Sequence, residues 1–276
     1  MPLPESWRAE GPATVASLTR ALQQLGVRRA GILLVHASLS SIGWVCGGET
    51  AVVEALLRVL GPEGTLVVPT MTPLNRDPAG WRPSVPEAWW PEIRRSLPAF
   101  DPAVTPSQEM GRVAEHVRCR PGALRSDHPQ VSFAGLGPSA AAMVHDHDWT
   151  CHLGERSPLA RLEQAGAEVL LLGVGFSRCS CFHLAEYRQP EPRMRSYSCV
   201  VVGHTTSPRS GHVSDRWFHY EDVDLNDEDF TKLGRAFEQS TDAVVHGRIG
   251  LAEARLFPVS AAVEFATGWM RQHRRR

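Results

Sequence analysis

A histidine and a glutamate three residues apart, in His183-Leu184-Ala185-Glu186, follow shortly after the apolar run Val169-Leu170-Leu171-Leu172-Gly173-Val174-Gly175. On a helix, i,i+3 spacing sets imidazole and carboxylate on one face. A carboxylate beside a histidine fixes its tautomer and stabilises the imidazolium formed when the ring takes a proton. The pair therefore reads as a general base with its orienting partner. The same spacing fits a helix-start histidine beside a solvated glutamate, and spacing by itself leaves both readings open. The preceding run, short, apolar and bounded by glycines, reads as a buried strand of a covered sheet. Chain leaving such a strand reaches the sheet edge where α/β proteins place their chemistry.

His36-Ala37-Ser38-Leu39-Ser40-Ser41-Ile42-Gly43 leads through Gly47-Gly48 into a segment of helical periodicity. Small residues and hydroxyls let a ligand approach backbone N–H groups, and a helix start favours an anion. The lysine of a phosphate-binding P-loop is absent, so this loop alone supports an anion or nucleotide site and no more. Arg125-Ser126-Asp127-His128-Pro129, then Ser132-Phe133, offers a guanidinium for a phosphate and an imidazole for a substrate, or simply two surface residues of a turn. After Trp217 comes an acidic run of Glu221, Asp222, Asp224, Asp227, Glu228 and Asp229. If Asp222 and Asp224 point inward from an extended segment, they share one face and could receive a cationic ligand. The cysteines, at 46, 119, 151, 179, 181 and 199, form no Cys-x-x-Cys pair. A chain this long needs no disulfide staples, so they read as free thiols. Cys179-Ser180-Cys181 could bind a metal or serve redox chemistry, but small residues after a strand account for it.

The frame for these groups alternates strand and helix. Residues 31–36 read as a buried strand, 51–60 as a helix stopping before Gly61-Pro62, and 64–69 as a strand ended by proline. Together 31–70 form a βαβ unit, for which parallel pairing is the default. Residues 70–106 are dense in proline, tryptophan and charge. A loop so long is often a lid or substrate wall, although Trp81, Trp89 and Trp90 fit ordinary packing at least as well. Helix returns at 111–119 and 138–144, and 271–276 reads as a frayed, solvated basic tail. With 276 residues and 42% hydrophobic content, the chain can bury one large core, as a single domain or two fused lobes. A net charge of −1 argues against nucleic-acid or membrane binding driven by bulk charge. No stretch is long and apolar enough to span a bilayer, and Met1-Pro2-Leu3-Pro4-Glu5 does not resemble a signal peptide, so a cytoplasmic protein is expected.

Taken together, the motifs resemble the aminoglycoside 3-N-acetyltransferases, antibiotic-modifying enzymes distinct in fold from the GNAT acetyltransferases. The resemblance rests on Val35-His36-Ala37-Ser38-Leu39-Ser40-Ser41-Ile42-Gly43, Val68-Pro69-Thr70-Met71-Thr72 and Ala99-Phe100-Asp101-Pro102. It continues through Arg125-Ser126-Asp127-His128-Pro129, Gly154-Glu155-Arg156-Ser157-Pro158-Leu159, and Leu171-Leu172-Gly173-Val174-Gly175 with His183-Leu184-Ala185-Glu186. It implies an α/β fold with a mixed, largely parallel central sheet flanked by helices. That fold would form one catalytic domain over 1–276, in one piece or as two lobes with the cleft between them. The implied activity is acetyl transfer from acetyl-coenzyme A to the 3-amine of a 2-deoxystreptamine antibiotic, conferring resistance. No metal, nucleic acid or membrane is implied, and the protein would be a monomer or homodimer. Position by position, the resemblance makes His183 the base and Glu186 its orienting group. His36, Ala37, Ser38, Leu39, Ser40 and Ser41 would line pantetheine and pyrophosphate, with Met110, Gly111, Arg125, Ser132 and Phe133 on the coenzyme side. Asp77, Asp101, His128, Asp222 and Asp224 would belong to the sugar pocket.

The chemistry is coherent with those residues. An ammonium cannot attack a thioester, so the substrate amine must be neutral, and His183 could take its proton as nitrogen bonds to carbon. Thr70 and Thr72, just beyond a strand end, are expected to donate to the oxyanion. No covalent intermediate is required, so no cysteine is nominated as nucleophile. Acidic side chains would attract a polycationic antibiotic, and that binding should weaken with salt. One departure stands out: the family commonly carries Asn-Thr before the catalytic histidine, where this chain has Cys179-Ser180-Cys181-Phe182. That change bears on histidine placement and on the antibiotics accepted. Three rival readings remain. The first is the same chemistry on a non-aminoglycoside amine, and another is a coenzyme A-binding protein without turnover. The third is a metal-dependent hydrolase using His36, His128, His183 and Glu186, which no recognised zinc spacing unites.

Overall fold

A computed structural model describes residue 7 and residues 11–201, 212–214 and 216–274. The N-terminal pentapeptide and the last two arginines, read above as leader-free and solvated, lie outside the described residues. Strict alternation of apolar side chains makes the three central strands two-faced. β1 (Ile32–Ala37), β2 (Thr65–Pro69) and β5 (Glu168–Leu172) run parallel, with β1 in the middle. Leu33, Val35, Leu66, Val68, Leu170 and Leu172 face one core, completed by α1 (Val15–Leu25), α2 (Gly48–Leu60) and α4 (Gly111–Arg118). Leu34, Val67, Val169 and Leu171 face the other. That core is closed by α5 (Ala140–Val144), α6 (Pro158–Gln164), α7 (Phe182–Tyr187), α8 (Phe230–Ser240) and α9 (Val259–His273). The expected βαβ unit forms, with Leu33 paired to Leu66 in parallel register.

The sheet is mixed, as expected, but parallel only at its centre. Its order is β3-β4-β2-β1-β5-β10-β9, where β3 is Leu124–Arg125, β4 Phe133–Leu136, β9 Val245–Ile249 and β10 Ala252–Pro258. Every pairing outside the central three strands is antiparallel, which corrects the largely parallel expectation. For β9 and β10 the reason is local: they are joined by Gly250-Leu251, a connection short enough only for a hairpin.

A second sheet packs beside the first, in the order β6-β8-β7, with β6 at Met194–Val200, β7 at His212–Ser214 and β8 at Trp217–Val223. Cys199, Val201, Phe218 and Tyr220 form its small core with Trp149 and Tyr197. The 70–106 excursion, which carries the short helix α3 (Trp90–Ser96), is what this sheet rests on. Asn75 accepts from Val200 N–H at 2.8 Å and donates to its carbonyl at 3.0 Å, and Trp217 Nε1 donates to the Arg94 carbonyl at 3.0 Å. Trp81 and Trp90 donate within the excursion, to the Arg76 and Val85 carbonyls, Trp89 is exposed, and none of the three lines the cleft described below. No described helix is long and apolar enough to cross a membrane.

Candidate active site

The loops leaving β1, β2 and β5 emerge from one edge of the sheet, because the three strands are parallel. Between them and the N-terminus of α4 lies a cleft of about 720 Å³. Two tight contacts shape its floor. Ser38 N–H donates to the Leu172 carbonyl at 2.9 Å, and Ser41 Oγ lies 3.0 Å from the Gly173 carbonyl. Gly173 adopts φ +67, and a Cβ there would sit 2.5 Å from that of Ser41, so only glycine fits.

His183 stands on this cleft, on the first turn of α7. Its Nδ1 lies 2.6 Å from Oε2 of Glu186 across the expected i,i+3 step. The carboxylate is itself pinned: Oε1 accepts Asn226 N–H at 3.0 Å and a second bond from Arg274. Phe230 covers the imidazole with ring centroids 4.7 Å apart. Glu186 is 4% exposed, so this is a buried, hydrogen-bonded carboxylate rather than a solvated one. With Nδ1–H donated to Glu186, the lone pair of the histidine is left on Nε2.

The lining of the cleft also suits an anion. α2 and α4 both present their N-termini, at Gly48 and Gly111; Arg178 adds cationic charge, and Arg112 also lines the cleft, paired with Glu49 at 2.9 Å. Gly111 enters α4 at φ +84, a conformation other residues adopt at a cost, and leaves the backbone open to a ligand. His36 is buried and its Nε2 has no partner among the described residues, although it lines the same cleft. Burial, reinforced by the nearby Arg178 charge, lowers its pKa to about 4, so it is a neutral imidazole at ordinary pH.

The family model for aminoglycoside 3-N-acetyltransferases matches residues 34–271, nearly the whole described chain. The chain belongs to the aminoglycoside 3-N-acetyltransferase family. An aminoglycoside N(3')-acetyltransferase-like protein of SPbeta prophage origin, YokD of Bacillus subtilis (strain 168), is 40% identical over 262 residues, 94% of this chain and 92% of that one. Its crystal structure superposes with TM-score 0.89 at 38% identity, covering 96% of this chain and 95% of that one. Aminoglycoside N(3)-acetyltransferase VII of Streptomyces paromomycinus is 32% identical over 290 residues, 96% of this chain and 94% of that enzyme. A binary complex of AAC-IIIb with CoASH gives TM-score 0.81 at 28% identity, covering 95% and 97% of the two chains. The protein is thus an acyltransferase of a family that acetylates aminoglycosides.

Within this acetyltransferase the expected site residues divide. His36, Ala37, Ser38, Leu39, Ser40, Met110, Gly111 and His183 line the cleft together, and Ser41 braces its floor. Thr70 and Thr72 do not face it, which corrects their expected role as oxyanion donors. The extended segment places Met71 on the cleft and the two threonines on the opposite side. Both are buried; Thr72 Oγ1 donates to the Pro129 carbonyl at 2.6 Å, and Thr70 Oγ1 lies 3.2 Å from Ser132 Oγ.

Arg125, Ser132 and Phe133 are likewise behind the wall rather than on the coenzyme side. Arg125 donates to the Thr70 carbonyl at 2.6 Å and to Ser132 Oγ at 3.0 Å, and lies over the Phe100 ring. Burial lowers its pKa to about 10. Phe133 is part of the second core.

The acidic residues expected in the sugar pocket are also committed elsewhere. Asp77 holds Arg94 at 2.8 Å, Asp101 caps its own turn through Ala103 N–H at 2.8 Å, and Asp224 pairs with Arg195. Asp222 is buried against Tyr187 and His152. His128 is sealed in the interior with His147 and His152, its Nδ1 accepting from Gln130 N–H at 3.1 Å. The acids that do line the cleft are Glu109 and Asp227. Asp227 belongs to the acidic run, but nothing in that run distinguishes it from its neighbours. Glu109 carried no signal.

Cys179 and Cys181 lie with their sulfurs 3.3 Å apart, both buried beneath α7 in the apolar core. Burial and the neighbouring thiol push Cys179 well above the usual thiol range, which removes it as a nucleophile. The basic tail also departs from expectation: α9 runs to His273, and Arg274 is docked rather than solvated.

Proposed function

We propose that this acetyltransferase moves an acetyl group from acetyl-coenzyme A to the 3-amine of the 2-deoxystreptamine ring of an aminoglycoside, by direct attack with His183 as base. The observation that carries the reading is the His183–Glu186 pair, 2.6 Å apart with its carboxylate buried, on the wall of a cleft that also offers two helix N-termini. The residues present suit the coenzyme. The N–H groups at Gly48 and Gly111, with Arg112 and Arg178, would hold its diphosphate, and the orphaned Nε2 of His36 offers a buried polar contact for its pantetheine. When bound, acetyl-coenzyme A supplies the activated acetyl carbonyl.

His183 Nε2 accepts the proton the amine loses as its nitrogen bonds to the acetyl carbon and the carbon–sulfur bond breaks. Glu186 holds the ring in the required tautomer and balances the imidazolium. Glu109 and Asp227 draw in the cationic substrate, and Phe230 excludes water from the imidazole face. Acetylation turns an ammonium into a neutral amide, the chemical basis for resistance.

The test is thiol release from acetyl-coenzyme A with gentamicin, tobramycin and apramycin, with mass spectrometry locating the acetyl group. Acetylation at the 3-amine is expected, and His183→Ala should lower kcat by about 10²–10⁴-fold. Turnover only with other amines would sink the antibiotic assignment, and a His183→Ala enzyme at full rate would sink the mechanism.

A further inference from the structure

Arg274 folds back from the end of α9 onto the underside of the catalytic pair. Its Nη1 donates to Oε1 of Glu186. Nε and Nη2 grip the Asp229 carboxylate at 2.8 and 2.5 Å, and Nη2 also donates to the Asn226 carbonyl at 2.7 Å. The guanidinium carbon lies 5.8 Å from the centroid of Phe230, the ring that packs on His183. Arg274 therefore reaches His183 by two routes, through Glu186 and through Phe230, yet it does not line the cleft.

We propose that Arg274 is a positioning residue for acetyl transfer, clamping Oε1 of Glu186 so that Oε2 stays on His183 Nδ1 while its charge tempers the pull of that carboxylate on the imidazolium. The inference rests on His183 acting as base. An exposed ion pair would contribute little, but here the Glu186 side chain is 5% exposed and that of Arg274 24%. A buried carboxylate with one oxygen free could turn off the imidazole; Asn226 N–H and Arg274 together fill that oxygen.

The charged and titratable groups facing the pair come from each neighbouring element. They are His36 from β1, Arg178 and Cys179 ahead of α7, Asp227 and Asp229 ahead of α8, and Arg274 from α9, with Glu109 and Arg112 across the cleft. Arg274 and Asp229 are the two that can be altered without touching the cleft.

The experiment is the pH profile of kcat/KM for Arg274→Gln, Arg274→Lys, Asp229→Asn and His183→Ala. Arg274→Gln removes a cation, so the acid limb moves to higher pH, by about half a unit or more. Its kcat falls about tenfold while both KM values stay within about twofold. Asp229→Asn removes an anion and moves the limb the opposite way, and Arg274→Lys keeps the limb near wild type and recovers part of kcat. Limbs that stay put, or shift the same way in Arg274→Gln and Asp229→Asn, overturn the proposal. If Arg274→Gln does not fold, the sign of the Asp229→Asn shift decides. Full activity in His183→Ala would overturn the base assignment instead, a separate and distinguishable failure.

Discussion

Nδ1 of His152 lies 2.7 Å from Oδ2 of Asp222, with both side chains 4% exposed. The contact is close without being an aligned hydrogen bond. The same Asp222 oxygen accepts from the His152 N–H and the Tyr187 hydroxyl, both at 2.6 Å. Because β8 carries Asp222 and α7 leads into Tyr187, this carboxylate joins the second sheet to the helix of the His183–Glu186 pair. It is a structural joint, whatever its position in an acidic run suggests.

Asp222→Asn should therefore cost stability, about 2–4 kcal/mol, because an amide cannot accept from all these groups. KM for the amine should stay within about twofold. Urea denaturation beside steady-state kinetics decides it; a raised KM at unchanged stability would return Asp222 to the sugar pocket.

The same reasoning applies to Thr72, whose hydroxyl serves the Pro129 carbonyl. Thr72→Val should lose about 1–2 kcal/mol of stability and leave kcat within about threefold. A hundredfold fall in kcat in a fully folded variant would restore the oxyanion role.

Buried histidines predict acid sensitivity. Burial, with the nearby Arg178 charge, lowers His36 to about 4; burial, with Arg161 and His152, lowers His147 to about 3; and His128 is pushed well below its usual range. Each is neutral in the fold and takes a proton on unfolding below its ordinary value of 6.5. Their contribution is thus complete above pH 6.5 and is lost as pH falls towards 4 and below. Over that window each should cost about 1.4 kcal/mol per pH unit. Thermal melts from pH 7.5 to 4 should show a steep fall that His147→Gln makes shallower; an unchanged slope in that variant would contradict the assignment.

On the wall of the cleft, Gly111→Asp places a carboxylate at the N-terminus of α4. Aspartate tolerates the left-handed backbone better than most residues, so the fold should survive. Repulsion of the diphosphate should raise KM for acetyl-coenzyme A about tenfold, with kcat little altered. Calorimetric titration with the coenzyme would check this, and unchanged affinity would move the diphosphate elsewhere.

What was legible in the sequence was local. The His183–Glu186 pair is set by one turn of a short helix, the βαβ unit by apolar period and a glycine-proline stop, and the β1 loop by its small residues. Even the turning away of Thr70 and Thr72 was readable in principle, since strand alternation puts Met71 between them on the other face. The tertiary structure alone decided which charges meet. Arg274 reaches Glu186 across 88 residues because α9 packs on α7, and Tyr187 takes Asp222 from the solvent across 35. Spacing encodes which side chains share a face of one element; which faces meet depends on how two apolar cores close around a sheet. A charge seen in sequence becomes a ligand contact or a structural clamp only at that stage.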